Sequence, residues 1–407
     1  MVAIGCWIGL LFGPNAMIAA VNANYLALLP DAFGVSRTAL TSVMAIALWT
    51  VALCVPLFGR AMDKYGVRTI ILPGLTMFGL LMACLGLAQN LWQFAILQVL
   101  FSIAVSTHVA VGYAKVIASW FDRSRGLVLG LCVAMGAGVG QTIMPKLSQW
   151  YIAEYTWRGG YFIQGAMALF ICLPLVALLV RTPPAVVTVA GEPEVVPVEI
   201  SGLTRGEALR KPTFYLLFFA ILFASMALLG SLQHSVAILT ERGFSLSSAT
   251  TVLSLSFMGV IAGEFSSGFL VDRFNSPRIV LPYFISALIG VLIVHSTHSA
   301  ALLPIGGLLL GLGLGGEIGQ NAYLVSRYFG LKSFGGIYGL TFAGSSIGNG
   351  GGLILLGMIR DRTGSYSAGF YLAGGAMLIS VLCIAALGPF VYAGKRHGKA
   401  SEEAAPA

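Results

Sequence analysis

The segment Gly59-Arg-Ala-Met-Asp63-Lys-Tyr-Gly-Val-Arg68 recurs in related form as Gly268-Phe-Leu-Val-Asp272-Arg-Phe-Asn-Ser-Pro-Arg278. In both copies a glycine, an aspartate, a base, an aromatic residue and an arginine follow in the same order, about 209 residues apart. Each copy comes directly after a long apolar stretch. The recurrence predicts that the chain consists of two homologous halves.

The composition around these segments is that of a membrane protein. Of the 407 residues, 57% are hydrophobic and 9% are charged, whereas about 25% of the residues in a soluble domain carry a charge. This excludes a water-soluble globular protein, a disordered chain and a nucleic-acid-binding protein. Lipid-facing segments must satisfy their own backbone hydrogen bonds, and the apolar stretches are too long for barrel strands. We therefore expect membrane-spanning helices.

Twelve apolar stretches are long enough to cross a bilayer, which takes about 20 residues. We predict spans over 4–30, 38–60, 69–89, 91–119, 126–150, 157–181, 213–240, 247–271, 279–297, 300–327, 334–359 and 367–393. The predicted fold is an all-α membrane protein of two pseudo-symmetric bundles. Its parts are an N-terminal six-helix bundle over 1–182, a linker over 183–212, a C-terminal six-helix bundle over 213–394 and a tail over 395–407.

Basic residues predict the orientation of the chain. With both termini inside, sixteen Lys and Arg residues lie on the cytoplasmic side and six outside, while Lys115 lies within a span. This is the bias of the positive-inside rule. We expect a multi-pass protein of the cytoplasmic membrane with both termini in the cytoplasm. No cleavage site follows the first apolar stretch, so we expect no removable signal peptide.

The repeated segments resemble a known family. Residues 59–68 resemble the loop 2–3 signature of the major facilitator superfamily, and 268–278 match its partner in the second half. Three further segments resemble the monocarboxylate-transporter and oxalate/formate-antiporter branch: Trp120-Phe-Asp-Arg-Ser-Arg-Gly126-Leu, His234 ahead of Leu239-Thr-Glu-Arg-Gly243, and Tyr323-Leu-Val-Ser-Arg-Tyr-Phe-Gly330. The resemblance covers nearly the whole chain. It implies a twelve-helix transporter, monomeric and not an enzyme, whose halves rock about a site near the bilayer midplane.

The repeated loop suggests a gate. Asp63 and Asp272 each stand at the end of a span, among bases that include Arg68 and Arg273. Such a carboxylate can bridge to a neighbouring helix while the cytoplasmic side is closed. The alternative is a simple positive-inside anchor, but the occurrence of the motif in both halves favours gating.

Ionisable side chains within the spans are candidates for the transport site. Each costs about 2.5–3.5 kcal/mol on insertion scales, so it usually faces a cavity or a partner. The resemblance implies that the first, fourth, seventh and tenth helices line the cavity. We predict the following residues for substrate binding or proton coupling: Asn24, Tyr25, His108, Lys115, His234, Glu264, Glu317 and Asn321.

Several of these residues have a structural alternative. Lys115 lies near the end of its span and can snorkel to the interface. His108 can be a hydrogen-bonded packing residue, and His234 can bond a neighbouring carbonyl. Glu264 and Glu317 are harder to explain in this way, because Lys115 could neutralise one of them but not both.

Glu264 departs from the pattern of the branch. The resemblance implies an arginine at this point of the eighth helix, which holds the substrate carboxylate, and oxalate carriers also have a lysine where this chain has Ser345. Two hypotheses follow. One is a proton-coupled carrier of a small organic anion, with Lys115 as a substitute anchor. The other is a carrier of a cationic or zwitterionic solute, with Glu264 and Glu317 as counter-charges.

Other classes of function are less favoured. A receptor with a transporter fold would usually need a signalling domain, and the tail after residue 394 is short. A membrane enzyme would need a catalytic constellation, which the sequence lacks. The six cysteines stand singly in apolar segments without metal-binding spacing. We expect no cofactor and no metal, and the expected partners are a small-molecule substrate, the proton and the lipid bilayer.

Overall fold

The structure is a computed structural model that describes residues 1–19, 21–108, 112–113, 116–117, 120, 135–181, 202–274, 276–330 and 332–391. The described N-terminal half is helical, with α1 (Val2–Leu11), α2 (Asn22–Phe33), α3 (Arg37–Tyr65), α4 (Val67–Leu85), α5 (Leu91–Val105), α6 (Met135–Ala166) and α7 (Leu173–Leu179). Short π-helical segments, Asn15–Ala19 and Met167–Cys172, precede α2 and α7.

The described C-terminal half is helical as well. It contains α8 (Arg205–Leu209), α9 (Pro212–Glu241), α10 (Leu246–Phe274), α11 (Leu281–Ser296), α12 (Leu303–Phe329), α13 (Phe334–Thr363) and α14 (Gly369–Ala385). A 3₁₀ turn, Pro277–Val280, precedes α11.

The helices account for the predicted crossings. Eight segments of the described chain are long and apolar enough to cross a membrane. One of them, Gly136–Leu179, has 44 residues and breaks at Thr156, whose φ is 65°, so it holds two crossings. Three shorter apolar helices supply the remaining ones: Leu91–Val105, Leu303–Glu317 and Gly369–Ala385. The predicted all-helical membrane fold is confirmed.

Two predicted spans, 4–30 and 91–119, are interrupted near their middle. In the first, α1 gives way to a π-helical segment at Gly13-Pro14, because proline lacks a backbone donor and disfavours helix in the preceding residue. In the second, α5 ends at Val105. There the hydroxyls of Ser106 and Thr107 donate to backbone carbonyls at 2.8 and 2.7 Å, which competes with the helical pattern.

Glycines bring α10 and α12 unusually close together. A Cβ on Gly311 would overlap the carbonyl oxygen of Ser256, and a Cβ on Gly315 would overlap that of Val260. Small residues permit such contact between membrane helices. The glycine run of the tenth span therefore serves helix packing, and it fixes the level of α12 relative to α10.

Each half has its own buried core, and the halves contact each other mainly through α3 with α13, α6 with α10, and α2 with α9.

We call the end that carries residues 34–36, 242–245 and 364–368 the far end. The opposite end, with residues 202–211 and 332–333, is the linker end.

Candidate functional site

Glu317 of α12 is the most buried carboxyl group of the described chain, with 5% of its surface exposed. The Ser225 hydroxyl of α9 donates a hydrogen bond to one carboxyl oxygen. Ser225 Oγ in turn lies 2.8 Å from Ser345 Oγ of α13. The second carboxyl oxygen, Oε2, has no hydrogen-bond partner among the described residues. An ionised carboxylate is costly in such surroundings, whereas the neutral acid is tolerated.

Glu264 of α10 is partly buried and lies at nearly the same depth. Gly315 packs so closely on α10 that a Cβ there would lie 2.9 Å from the Glu264 backbone nitrogen. Glu317 follows two residues later, about 3 Å along the helix axis. Within the described chain, no hydrogen bond or ion pair engages the Glu264 carboxylate. The helices that carry the two predicted carboxyl groups therefore adjoin at this level of the C-terminal half.

Both ring nitrogens of His234 are occupied. Nδ1 lies 2.8 Å from the hydroxyl of Tyr366 and Nε2 lies 3.0 Å from the carbonyl oxygen of Leu353. Burial raises the pKa of Tyr366, which lies outside the spans, to about 12, so this hydroxyl keeps its proton and donates to Nδ1. Since a carbonyl only accepts, Nε2 carries the ring hydrogen. This is the carbonyl contact that the sequence left open as the structural alternative.

His108 faces the interior of its own half. It is fully buried, its ring meets that of Phe78 edge-on with centroids 4.6 Å apart, and Nδ1 lies 3.3 Å from the carbonyl oxygen of Ala104. Nε2 has no partner. His108 and Glu317, which stand 209 residues apart like the two repeated segments, are therefore held by separate sets of neighbours.

The predicted amides and Tyr25 bond within their own halves. Asn24 donates from Nδ2 to Pro145 O at 2.9 Å and to Ser148 Oγ at 2.6 Å. Tyr25 donates to Gln164 at 3.0 Å and stacks on Tyr161. Asn321 accepts a hydrogen bond from Thr341 at 3.1 Å, which links α12 to α13.

The remaining predicted residues are described only in part. Lys115 and the side chains of Asp63 and Asp272 lie outside the described structure. Arg68 donates to the carbonyl oxygens of Val180 and Ala177 at 2.9 and 2.7 Å, so it caps the carboxyl end of α7. Arg273 is exposed.

A cavity of about 260 Å³ lies between the two halves. It adjoins the interruption of the first span at Pro14 and the last turns of α5. Its lining includes the polar residues Asn22, Gln98, Ser102 and Gln233, which come from α2, α5 and α9. Interrupted helices beside a cavity are typical of transporter sites.

Asp361, which the sequence did not single out, joins the halves at the far end. Its carboxylate accepts the backbone N–H groups of Arg37 and Thr38 at 3.0 and 2.7 Å and the Thr38 hydroxyl at 2.5 Å. A carboxylate at the amino end of α3 is favoured by the helix dipole. On a second pair of helices, Lys146 of α6 donates to Ser247 Oγ of α10 at 3.0 Å. We call these the far-end contacts, and they join the two halves at the far end.

Comparison with known proteins identifies the family. The model of the Major Facilitator Superfamily matches residues 8–295 and 235–407. The chain belongs to the Major Facilitator Superfamily. The family resemblance predicted from the repeated loop is thereby confirmed.

Relatives within the superfamily include carriers of organic acids. Monocarboxylate transporter 13 of Bos taurus is 28% identical over 79% of this chain and 74% of its own length. The 4-hydroxybenzoate transporter PcaK of Acinetobacter baylyi is 23% identical over 86% and 85%. The gallate transporter of Pseudomonas putida is 24% identical over 80% of both chains. This superfamily member is therefore a multi-pass membrane transporter of a small molecule and not an enzyme.

Solved structures of the superfamily share the fold. The nucleoside transporter NupG has a TM-score of 0.75 at 10% identity, over 95% of this chain and 99% of that one. A bacterial homologue of the human lysosomal transporter Spinster, in an inward-facing and occupied conformation, has a TM-score of 0.68 at 17% identity, over 94% of each chain.

Proposed function

We propose that this transporter moves a small organic acid, a carboxylate, together with a proton across the cytoplasmic membrane by alternating access. The observation that carries the proposal is the buried Glu317 carboxyl group, which accepts a hydrogen bond from the Ser225 hydroxyl and whose other oxygen has no partner within the described chain. The relatives that carry monocarboxylates and hydroxylated aromatic acids support the substrate class.

Glu317 acts as the proton site in this mechanism. In the apolar interior the group rests as the neutral acid, because ionisation there would leave a poorly compensated charge. When the bundle opens, water reaches the carboxyl group and the proton leaves. Ser345, which lies 2.8 Å from Ser225, stands where the resemblance gives oxalate carriers a lysine, so a neutral hydroxyl takes the place of that permanent positive charge. Glu264, on the adjoining helix, supplies a second carboxyl group at the same depth.

The far-end contacts form one gate of the cycle. With Asp361 on the amino end of α3, the far end is shut and the substrate path opens toward the linker end. We assign the linker end to the cytoplasm from the bias of basic residues. In the opposite state the contacts of Asp361 break, and Asp63 and Asp272 close the cytoplasmic side with Arg68 and Arg273.

A cationic or zwitterionic substrate is the second candidate. It is favoured by Glu264, which stands where the branch carries an anchoring arginine and whose carboxylate is unengaged within the described chain. In that case Glu264 and Glu317 act as counter-charges, and the proton on Glu317 is displaced by the cation.

Uptake by liposomes that contain the purified protein separates the two candidates. We expect labelled small carboxylates to enter faster at acid external pH, while amines and amino acids do not enter. Uptake of amines that disappears in Glu264→Gln would favour the second candidate instead. Glu154→Gln, at an exposed glutamate, is the matched control.

A further inference from the structure

The cavity between the halves is walled mainly by apolar side chains. Met44, Leu48 and Val51 of α3 and Phe101 of α5 line one side, and Leu229 of α9 lines the other. Its volume of about 260 Å³ exceeds the roughly 150 Å³ of an apolar cavity that binds benzene. It therefore has room for one ring and its substituents.

Gln98 in this wall has a polar atom without a partner. Its side chain is 95% buried, with 5% of its surface exposed, and its carbonyl oxygen Oε1 has no hydrogen bond within the described chain. Leaving a buried acceptor without a donor is unfavourable. Gln98 lines the cavity, so a ligand there can supply the missing donor. Gln233 lines the same cavity from the other half, so a ligand in it is in contact with both halves.

We propose that this cavity holds the uncharged end of the transported acid, a single ring that carries a hydroxyl or N–H donor, and that Gln98 is the residue that selects for that donor. The inference rests on the proposed function, because it takes the substrate to be an acid. The apolar walls exclude a polyol, which would leave several hydroxyls unsatisfied. The Gln98 acceptor favours a donor-bearing ring over the same ring without one.

Equilibrium binding to the purified full-length chain in lipid nanodiscs tests this assignment with a matched pair of probes, 4-hydroxybenzoate and benzoate. The wild-type protein is expected to bind 4-hydroxybenzoate about tenfold more tightly, the size of one hydrogen bond to a buried acceptor. In Gln98→Leu the preference is expected to fall below about twofold while benzoate affinity is kept. Gln89→Leu, at an exposed glutamine, should retain the wild-type preference.

The outcomes separate this inference from the proposed function. Equal wild-type affinity for the two acids overturns the inference and leaves acid transport standing. An unchanged preference in Gln98→Leu overturns the role of Gln98. Binding of neither acid by the wild-type protein contradicts the inference and the proposed substrate class together. The wild-type comparison decides the ring-donor claim even if Gln98→Leu fails to fold, and Gln98→Met then serves as the second variant.

Discussion

The carboxyl groups within the membrane differ in their partners, and this difference sets their roles. Glu317 is bonded to Ser225 and backed by Ser345, whereas the Glu264 carboxylate is unengaged within the described chain. A buried acid bonded by a neutral hydroxyl can bind and release a proton without moving a counter-ion. Glu317 is therefore the residue on which proton coupling depends in this account.

His234 has a structural role in the account. His234→Phe removes the bonds to Tyr366 and to the Leu353 carbonyl and leaves a buried acceptor and donor unpaired, so we expect a loss of about 1–3 kcal/mol of stability. Thermal unfolding in detergent measures this loss, and the number of protons moved per substrate should stay unchanged. His298→Phe, at an exposed histidine, should unfold at the wild-type temperature.

If His234→Phe unfolds at the wild-type temperature but moves substrate without protons, the structural role is wrong and His234 is a coupling residue. The sequence could identify His234 as a buried polar group on a helix that lines the cavity. It could not decide between a ligand and a packing role, because Tyr366 and Leu353 lie 132 and 119 residues further along the chain.

At the level of helices, the contact of α10 with α12 is set by glycine. Gly311→Ala places a methyl group on the Ser256 carbonyl oxygen and forces the two helices apart, at a cost of about 1–3 kcal/mol. We expect a lower unfolding temperature and reduced transport, since Glu264 and Glu317 would shift relative to one another. Gly351→Ala in α13, where a Cβ meets nothing within 4 Å, should behave like the wild type. Equal unfolding temperatures for the two variants would contradict this packing.

In the proposed cycle, the contact of α3 with α13 holds the far end shut. Asp361→Ala removes three hydrogen bonds and is expected to open this end more often. A single cysteine at Leu48, in a background without the native cysteines, reports the opening through its reaction with a membrane-impermeant thiol reagent added from the far side. Labelling should be roughly tenfold faster, which corresponds to about 1.4 kcal/mol.

Asp31→Ala controls for loss of a surface charge, because Asp31 is exposed near the same end. Equal labelling rates in Asp361→Ala and Asp31→Ala would show that the Asp361 contacts do not hold the far end. This role has no signal in the sequence, since the partners of Asp361 include the backbone N–H of Arg37, 324 residues earlier. Only the fold brings the two helix ends together.

For the molecule as a whole, composition and the repeated loop were sufficient to predict twelve helices in two related halves. Composition and the repeat are properties of long stretches of the chain, so a wrong interpretation of a single residue does not change either prediction. The candidate site was predictable only in its outline. Buried carboxyl groups stand out in apolar spans, but the Ser225–Ser345 pair depends on how three helices are rotated. Hydroxyl residues are common in membrane helices, so their pairing has no sequence signature.

The proposed alternating access of the two halves unites these observations. The cavity lies at the boundary between the halves, and in the proposed cycle one gate is built from helix ends and the proton site is a single acid in the C-terminal half. In that cycle, movement of an organic acid and movement of a proton are coupled through Glu317.

The most direct test is proton movement in liposomes that contain the purified protein and an internal pH dye. Adding a carboxylate that the protein transports should acidify the interior faster than in protein-free liposomes. Glu317→Gln should lose this acidification while it still exchanges labelled substrate across the membrane, and Glu154→Gln should behave like the wild type. Acidification by Glu317→Gln at the wild-type rate, or wild-type transport of the acid without proton movement, would contradict the account.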